Sequence, residues 1–474
     1  MSYRNKTNRP GCATQRILVG LVFLSMMGSL LGCGETSKPV GNTTEAAPGE
    51  ATDVGTEDNI VATYEEHLHQ GLKPDGGEMF ALEDTTIVES DETEVVDLDT
   101  VDGTYEITAG GAYRLRGKST SAKLSVQVPK DESVSLIFDG ATLYGTEPLI
   151  DIISGDCVYF QLEEGSENYI NSGAANEGAK PQPLIYSDVD LVFLGAGMLD
   201  VNAKYGTAIE CRKDVSITGG QVFVKAGDMG IIAKDSFRMA DGVLHINASD
   251  DGIQISNDKD AHKGFFYMEG GTLQISCGDD AVHAEHFFAM RGGTYDITES
   301  REGVEARFVN IWDGKLGLHA VDDGINASGK GGEKPYIHMS GGELYVNSLG
   351  DGLDSNGTFY MDGGKVYVEA PIHEGDDSLD RDMPIEFHDG YLLATTSAET
   401  AIPPTVGSYM GCRQYDLGNV PGEGKPISLR DEHGDELAGF IPERPYVSIL
   451  VFLPEDQNPP ELLVGEKSLE AKKS

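Results

Sequence analysis

The stretch Asn247–Ser256, "NASDDGIQIS", places two adjacent aspartates and a glycine between two short runs in which apolar and polar residues alternate. Close variants return along the chain as "SCGDDAVHAE" at 276–285, "HAVDDGINAS" at 319–328 and "NSLGDGLDSN" at 347–356. One copy would predict a surface turn, because Asp and Gly both favour turns. Copies that return at a regular spacing indicate a repeat architecture.

A second marker, a Gly-Gly or Asp-Gly pair, recurs between the acidic motifs and measures the period. Successive second glycines are separated by 22, 29, 22, 21, 28, 22 and 26 residues, so the base period is 22 with insertions in three copies. We expect these pairs to turn a recurrent corner, because glycine adopts positive φ without strain. The second glycines are Gly220, Gly242, Gly271, Gly293, Gly314, Gly342, Gly364 and Gly390.

Apolar residues alternate with polar ones after each glycine pair, as in Leu273, Ile275 and Cys277. A period of 2 in such short runs predicts strands with one buried face. A coil of this length cannot bury that face alone, but it can stack on an identical neighbour. The sequence therefore predicts an all-β fold, a right-handed parallel β-helix over residues 86–397. The period disfavours a calcium-binding nonapeptide roll and a β-propeller.

The glycine period stops after Ser397, and a different pattern follows in "ISLRDEHGDELAGFIPERPYVSILVFLPE", which begins at Ile427. Two alternating runs flank "DEHGDE", which predicts a hairpin. An uncovered last coil would expose strand edges and the end of the core. We therefore predict a C-terminal cap and tail over residues 398–474, with Ile427–Leu453 as the covering segment.

The amino terminus predicts export. Basic residues precede the 16-residue apolar run "ILVGLVFLSMMGSLLG", which is short for a transmembrane helix and predicts a signal peptide over residues 1–32. The run ends in Leu31-Gly32-Cys33, which resembles a bacterial lipobox. We expect Cys33 to carry a lipid that tethers the protein to the cell envelope, outside the cytoplasmic membrane, with no other membrane contact. An ordinary Cys at a plain cleavage site is the alternative.

The chain is strongly acidic, with a formal net charge of -44 and 79 acidic against 35 basic residues, which argues against nucleic acid as a partner. Residues 33–85 lack apolar periodicity and are predicted to form a disordered acidic linker. Such a linker would hold the folded body away from the membrane. An acidic binding tail is the alternative for this segment.

The acidic motifs also predict a site. Equivalent positions of stacked coils lie about 4.8 Å apart, and neighbouring carboxylates there repel by roughly 3 kcal/mol at an effective dielectric constant of about 20. Protonation of carboxylates with raised pKa values, solvation of the turns, or bound cations would each relieve this repulsion. We favour Ca²⁺ as the cofactor, because clustered carboxylate and amide oxygens are calcium ligands. The candidate ligands are Asp250, Asp251, Asp279, Asp280, Glu302, Glu305, Asp322, Asp323, Asn326, Asp351 and Asp354.

The run of "SDDGIQIS", "GDDAVHAE", "REGVEAR" and "VDDGINAS", each followed by a strand and a glycine pair, resembles a bacterial carbohydrate-binding domain family. The resemblance covers roughly residues 86–460 and implies a calcium-binding parallel β-helix, similar in fold to pectate lyases, that binds cellulose and acidic pectic polysaccharide. The chain departs from the pattern at Arg301 and Gly350, which replace an Asp, and at Ala281 and Ser378, which replace the Gly. Those coils are expected to have incomplete ion sites.

The resemblance directs attention to residues that could hold an extracellular polysaccharide. Insertions follow Ile255, Ala327 and Val368, and loops after corresponding strands would wall a groove on one side of the solenoid. Positive charge in those loops and tyrosines at outward strand positions are the predicted sugar contacts: Lys259, Lys330, Lys334, Tyr267, Tyr345, Tyr360 and Tyr367. The histidines show no repeated metal spacing, so His283, His286, His319 and His338 are expected to be solvent-facing strand residues.

Three functions remain open at this point. A monomeric, non-enzymatic polysaccharide-binding protein is the main prediction. A structural or adhesive surface protein, in which calcium only adds rigidity, is the first alternative. A calcium-dependent polysaccharide lyase is the second, because Arg301 and Arg307 flank an acidic corner and such enzymes use an Arg or Lys as the base.

The anchor can be tested directly. The variant Cys33→Ala is expected to remain in the aqueous phase of a detergent phase separation, whereas the wild-type protein should enter the detergent phase because of its lipid. Equal partitioning of the two proteins would contradict the predicted lipid anchor.

Overall fold

Short strands separated by tight corners make up almost the whole folded chain. The computed structural model describes residues 79–87, 93–173, 180–329, 333–369, 376–396, 412–417, 422, 424–454 and 461–471. Cys33, Lys330 and the predicted signal peptide lie outside these residues, as does most of the predicted linker. The described part contains one short α-helix, α1 (Leu82–Thr85), and a 3₁₀ turn at Leu98–Thr100. None of its helices has the length and hydropathy needed to cross a bilayer.

The coils contain strands β1 to β31, some of which turn a corner and serve two faces. Their bounds are β1 Glu94–Asp97, β2 Thr104–Ile107, β3 Gly111–Ser119, β4 Lys123–Gln127, β5 Val134–Gly145, β6 Ile150–Ser154, β7 Cys157–Leu162, β8 Glu167–Ser172, β9 Ile185–Ser187, β10 Asp190–Gly195, β11 Met198–Ala203, β12 Ile209–Cys211, β13 Asp214–Ile217, β14 Gln221–Ala226, β15 Ile231–Ala233, β16 Ser236–Met239, β17 Val243–Ala248, β18 Ile253–Ile255, β19 Phe265–Met268, β20 Thr272–Ser276, β21 Val282–Met290, β22 Thr294–Ser300, β23 Val304–Ile311, β24 Lys315–Ala320, β25 Ile325–Ala327, β26 Tyr336–Met339, β27 Glu343–Ser348, β28 Leu353–Ser355, β29 Thr358–Glu369, β30 Leu379–Arg381 and β31 Glu386–Thr396.

Each coil passes through three faces in the order A, B, C, and each strand pairs in parallel with its equivalents in the coils before and after. Face A contains β7, β10, β13, β16, β19 and β26. Face B contains β8, β11, β14, β17, β20, β22, β24 and β27. Face C contains β9, β12, β15, β18, β25 and β28. This confirms the predicted parallel β-helix.

In-register pairing stacks like side chains in the interior. Phe237, Phe266 and Phe288 are aligned on successive rungs of face A, with ring centroids 5.5 and 4.7 Å apart and nearly parallel planes. All three rings are fully buried. Such aromatic pairs contribute about 0.5–1.5 kcal/mol each beyond the area that they bury. The core is therefore a set of columns parallel to the solenoid axis.

The glycine pairs form the corner between faces A and B, as predicted. Gly271 has φ +80°, and a Cβ there would lie 2.7 Å from Met239 Cε and 2.8 Å from the Gly242 carbonyl oxygen. The methionine of one coil thus packs directly beneath the glycine corner of the next. A side chain at this corner would face both backbone strain and a steric clash.

The insertions do not all lie on one side, which corrects the prediction. Those after Ile255 and Ala327 join face C to face A, because β18 and β25 precede β19 and β26. The third insertion follows β29 on face B and precedes β30 on face C, and residues 370–375 lie outside the described residues. Only the first two can wall the same groove.

Residues 79–87, most of which were assigned to the linker from the sequence, pack on the outside of face A. The Thr218 hydroxyl donates a hydrogen bond to the Asp84 carbonyl oxygen, and the Arg238 guanidinium donates to that of Met79. The Phe80 ring lies 6.2 Å from that of Tyr267. The folded body therefore begins before residue 86.

Antiparallel strands cover the last coil. The cap strands are β32 Arg413–Asp416, β33 Ile427–Arg430, β34 Glu436–Phe440, β35 Ser448–Phe452, β36 Glu461–Val464 and β37 Lys467–Leu469. Strand β35 pairs with β31 and β32, while β33 and β34 form the hairpin predicted around "DEHGDE" in a second sheet with β36 and β37. Phe440 packs on Tyr345 and Tyr367 of face B.

The interior aromatic column provides a test of the fold. Phe266→Ala is expected to lower the free energy of unfolding by about 3–5 kcal/mol, because it leaves a cavity between two stacked rings. Phe223→Ala, on the outward side of face B, should cost about 1 kcal/mol or less. Urea denaturation followed by circular dichroism measures both, and equal effects of the two variants would contradict the column.

Candidate functional site

The acidic motifs stack in register at the corner between faces B and C. Parallel pairing on face C places six polar side chains in one column: Gln254, His283, Glu305, Asn326, Asp354 and Asp380. The predicted ligands precede this column or belong to it. We call them the acidic edge: Asp250, Asp251, Asp279, Asp280, Glu302, Glu305, Asp322, Asp323, Asn326, Asp351 and Asp354.

Backbone amides of one coil hold carboxylates of the preceding coil. The Asp280 N–H donates to Asp251 Oδ1 at 3.1 Å, and the Asp351 N–H donates to Asp323 Oδ1 at 2.8 Å. Asp351 Oδ1 in turn accepts from the Asp377 N–H at 2.5 Å. Asp251 is only 5% exposed. These carboxylates are therefore fixed against the coil rather than splayed into solvent.

Two groups of three carboxylates lie near the two ends of the acidic edge. Asp250, Asp251 and Asp279 form one, and Asp323, Asp351 and Asp354 form the other. Within each, one ligand oxygen from every residue lies within 4.8 Å of the others. An ion with metal–oxygen distances of about 2.3–2.6 Å can contact oxygens that far apart. We call these groups the first and second carboxylate clusters.

The coils between the clusters contain basic side chains of the protein itself. His283 Nδ1 lies 2.9 Å from Glu305 Oε2 and 3.4 Å from Asp280 Oδ2. Hydrogen bonds to Asp280 and Glu305 raise the pKa of His283 to about 10, and the bond from His283 lowers the pKa of Glu305 to about 2. His283 is thus a protonated cation within the acidic edge, not the solvent-facing residue expected from the sequence.

Arg301 is the second internal cation. Its guanidinium lies 3.2 Å from Asp279, 3.6 Å from Asp280, 3.1 Å from Glu302 and 3.4 Å from Asp322. The sequence pattern has an aspartate at this position, so the basic substitution neutralises part of the column in that coil. His283 and Arg301 thus supply positive charge in these coils, where Asp280, His283 and Glu305 also place one ligand atom each within 4.8 Å of the others.

The two carboxylate clusters have less compensation. In the part of the chain that the structure describes, no basic side chain forms an ion pair with Asp251, Asp351 or Asp354. Burial raises the pKa of Asp251 and of Asp351 to about 7, and that of Asp354 to about 6. Neighbouring carboxylates, Asp280 beside Asp251 and Asp323 beside the other two, raise these pKa values further. Both clusters therefore favour a proton or a metal cation.

Asn326 adds an oxygen beside the second cluster. Its Nδ2 donates to Glu302 Oε2 at 3.2 Å, which leaves Oδ1 buried without a hydrogen bond. Asp354 is its register neighbour on the next rung of face C. A buried oxygen of this kind has a desolvation cost unless a donor or a cation meets it. Carboxylate and amide oxygens together are the ligands that a hard cation prefers.

A cleft of about 830 Å³ adjoins the centre of the acidic edge. Strand residues His283 and Glu305 line it, together with Ser328 and Lys334 from the insertion after Ala327 and Asp258 from the insertion after Ile255. Lys334 is exposed and lies 3.8 Å from Asp382. Lys259 is exposed on the neighbouring insertion, whereas Lys330 falls outside the described residues. The two insertions on the C-to-A corner thus border one groove.

The four predicted tyrosines do not line this cleft. Tyr267 is 5% exposed beneath Phe80, and Tyr367 is 4% exposed beneath the cap, where its hydroxyl accepts from the Gly439 N–H. Tyr345 is half-buried against Phe440 and donates to Glu369. Tyr360 is half-buried beside Tyr336. The prediction that these rings face sugar is wrong for Tyr267 and Tyr367, because other segments pack on the outward side of their strands.

Another predicted solvent-facing residue is also buried. His338 is 1% exposed, and its Nε2 lies 2.7 Å from Asp362. His286 lines the cleft, and His319 is half-buried near Tyr345. His283 was missed as a site residue although the sequence places it in the column of ligand positions. The signal in the sequence was its spacing, three residues after the second acidic position of the motif.

A family model described as carbohydrate-binding domain-containing protein matches residues 101–305 and 288–386. A curated relative of the same description, from Acetivibrio thermocellus, is 32% identical over 143 residues, which are 28% of this chain and 50% of the relative. The chain therefore spans about half the length of the curated relative that it matches.

A solved structure of the polysaccharide lyase-like protein from C. thermocellum, a gadolinium derivative, is 28% identical to this chain. The alignment covers 44% of this chain and 94% of that one, with a TM-score of 0.39. The family model carries the assignment, since its two matches together span well over half of the sequence. The chain belongs to the family of carbohydrate-binding domain-containing proteins.

Proposed function

We propose that this protein binds an extracellular acidic polysaccharide through calcium ions held on the acidic edge, at the end of a lipid anchor on Cys33. The observation that carries the proposal is the pair of carboxylate clusters, which lie on either side of His283 at the edge of the cleft. Arg301 pairs with Asp279 of the first cluster, and no other cluster residue forms an ion pair with a basic side chain in the described part of the chain. The family description supports a carbohydrate as the ligand class.

Charge explains why calcium would be needed. The chain has a formal net charge of -44, so a polymer of uronic acids would be repelled by the protein surface. A divalent ion held by Asp323, Asp351 and Asp354 would offer its remaining coordination positions to a carboxylate or hydroxyl of the polymer. Calcium outside the cell is abundant enough for sites of sub-millimolar to millimolar affinity.

The geometry favours binding over lyase chemistry. A general base must lose its proton, but the hydrogen bond to Asp279 and the surrounding carboxylates raise the pKa of Arg301. Arg307 donates from Nη2 to the Glu333 carbonyl oxygen at 2.5 Å and lies over the Phe308 ring. Arg301 is thus held as a cation, and the contacts of Arg307 engage its guanidinium with the protein itself.

The carboxylate clusters predict how stability depends on pH. In chelator, the folded chain holds protons on Asp251, Glu302 and Asp351, each with pKa about 7, that the unfolded chain releases near pH 4 to 5. The melting temperature should therefore fall as the pH rises from 5 to 8. His283 adds to this fall above about pH 6.5, because its pKa of about 10 keeps the proton on the folded chain while the unfolded chain releases it. Glu305, with a pKa of about 2, is largely ionised in both states over this range.

Calcium should reverse that loss, because at 100 times its Kd a ligand of the folded state stabilises by about 2.7 kcal/mol. Asp351→Asn should melt higher than the wild type in chelator at pH 8, since it removes a repelling charge, and should gain less from calcium. Asp131→Asn, at an exposed aspartate outside the acidic edge, is the control. A melting temperature that changes with neither pH nor calcium would contradict a cation site and indicate that the acidic edge is a row of solvated turns.

Retention on immobilised polygalacturonate tests the sugar ligand. We expect the wild-type protein and Asp131→Asn to bind in millimolar calcium and to elute with chelator, and the double variant Asp351→Asn/Asp354→Asn to bind at least about tenfold more weakly. Absorbance of unsaturated uronates should not grow during incubation. Growth that Arg301→Ala abolishes would favour a lyase, and calcium stabilisation without any retention would favour a structural protein.

A further inference from the structure

The outer side of face A carries a cluster of aromatic side chains that is separate from the interior core. Phe265, Phe287, Phe308 and Tyr336 occupy one register position on successive rungs. The ring centroids of Phe287 and Phe308, and those of Phe308 and Tyr336, lie 5.1 Å apart. We call the cluster the outer aromatic patch: Phe265, Tyr267, Phe287, Ala289, Phe308 and Tyr336. None of these residues lines the cleft beside the acidic edge.

The outer aromatic patch is buried although it faces away from the core. Its six residues are at most 6% exposed. Asn310 and His338, which follow Ala289 at the equivalent position of the next two rungs, are also buried. Stacking along the axis buries the faces of the rings, but it does not cover a methyl group that points outward, and Ala289 is 0% exposed. Another segment of the chain must therefore pack on this side of face A.

The described residues show where this cover begins. Met79 and Phe80 pack against the patch, and the Phe80 ring lies 6.2 Å from that of Tyr267 in β19. Asp84 lies two coils earlier, where its carbonyl oxygen accepts from the hydroxyl of Thr218 after β13. The chain thus runs from later coils toward earlier ones as it passes over face A. A continuation of this path before Met79 leads over β21, β23 and β26, which carry the rest of the patch.

The sequence just before Met79 has the pattern of an amphipathic helix. At about 100° per residue, five apolar side chains between residues 60 and 72 fall within an arc of about 120°. They are Ile60, Val61, Tyr64, Leu68 and Leu72. This run lies inside the acidic linker predicted over residues 33–85, and its apolar periodicity is a local exception to the composition of that segment.

The ends and the length of such a helix also fit the patch. Asn59 is a favoured N-cap residue, and Gly71 with Pro74 shortly after it is a favoured helix end. A helix over residues 60–70 would be about 16 Å long. The three rung steps from β19 to β26 measure about 14 Å. A single helix that lies along the solenoid axis therefore spans the remaining rungs of the patch.

Opposite charges border the two surfaces. The Arg307 guanidinium lies 4.8 Å from the centroid of the Phe308 ring, at the start of the face A stretch of β23. The Arg291 guanidinium, just after the end of β21, lies 4.5 Å from the centroid of the Trp312 ring, which packs against the patch. Glu65 lies directly beside the apolar arc of residues 60–72. An acidic side chain at either edge of a docked helix therefore has a cation on its side of the patch.

We propose that residues 60–70 form an amphipathic helix that packs lengthwise on the outer aromatic patch and is the first element of the folded body. Tyr64 and Leu68, near the centre of the apolar arc, pack on Phe287 and Phe308, and Ala289 leaves the space between larger side chains into which the helix fits. The docked helix shields an aromatic surface that would otherwise be exposed to water. The contact is one of the chain with itself, so it requires neither calcium nor a glycan.

Protection from proteolysis tests the docked helix. An endoproteinase that cleaves after glutamate should cut the full-length protein more slowly after Glu66 than after Glu45, which lies in the linker before the helix. Leu68→Asn should raise the rate of cleavage after Glu66 at least about tenfold, because it weakens the packing of the apolar arc and increases the undocked population. Ala62→Asn, on the opposite side of the helix, is the matched control and should raise this rate much less.

A change on the strand side makes the test independent of the helix sequence. Ala289→Phe places a large side chain where the helix packs, so it should raise cleavage after Glu66 as Leu68→Asn does. The double variant should show no further increase, because both changes remove the same contact. The emission of Trp312, the single tryptophan of the chain, should shift to longer wavelength in both single variants, while the β-sheet signal in circular dichroism stays unchanged.

The possible outcomes separate the helix from other ways of covering the patch. Equal cleavage after Glu66 and Glu45 in the wild type, or equal effects of Leu68→Asn and Ala62→Asn, would overturn the proposal. A wild-type dimer in sedimentation whose Trp312 emission shifts on dilution would overturn it in favour of a second copy as the cover. All measurements are made in chelator, where only the calcium-dependent function is lost, so failure of that function leaves this test unaffected.

Discussion

In-register hydrogen bonding between coils is the constraint on which the rest of the structure depends. Because the strands of the solenoid pair in parallel with their equivalents one coil away, side chains at equivalent positions lie directly above one another. For Phe237, Phe266 and Phe288 this arrangement stacks rings in the core. For glycines it produces a corner into which a methionine of the preceding coil fits. For aspartates the same rule brings like charges together.

The acidic edge shows how the fold tolerates that repulsion. In the middle coils, His283 and Arg301 replace members of the acidic pattern and neutralise their neighbours. Backbone N–H groups stabilise carboxylates from the preceding coil, as at Asp251 and Asp323. The two carboxylate clusters retain more uncompensated charge. Asp251 and Asp351 have no basic partner among the described residues, and burial, followed by neighbouring carboxylates, raises their pKa values to about 7. The side chains that carry this electrostatic cost are thus the same ones that we propose to bind cations.

The sequence predicted the columns well, because the spacing between repeats determines which residues occupy equivalent positions on successive rungs. Glu305 and Asn326 are 21 residues apart, His283 and Glu305 are 22 apart, and pairing aligns them. The sequence predicted poorly which segments of the chain cover the outer side of the strands. Alternation shows that Tyr267 and Tyr367 point away from the core, but not that Phe80 or the cap packs on them. It also could not show that His283 is an internal cation, since that depends on carboxylates from two coils.

The antiparallel strand β35 fixes one end of the solenoid, because it takes the hydrogen bonds that another parallel coil would need. At this end, lengthening of the chain by further coils therefore requires duplication inside the array rather than addition beyond β35. A duplicated unit of one period adds a rung to all three faces at once, whereas an odd change in strand length would turn interior residues outward. The acidic edge and the three faces would grow together, so the number of equivalent positions in each column scales with the number of coils.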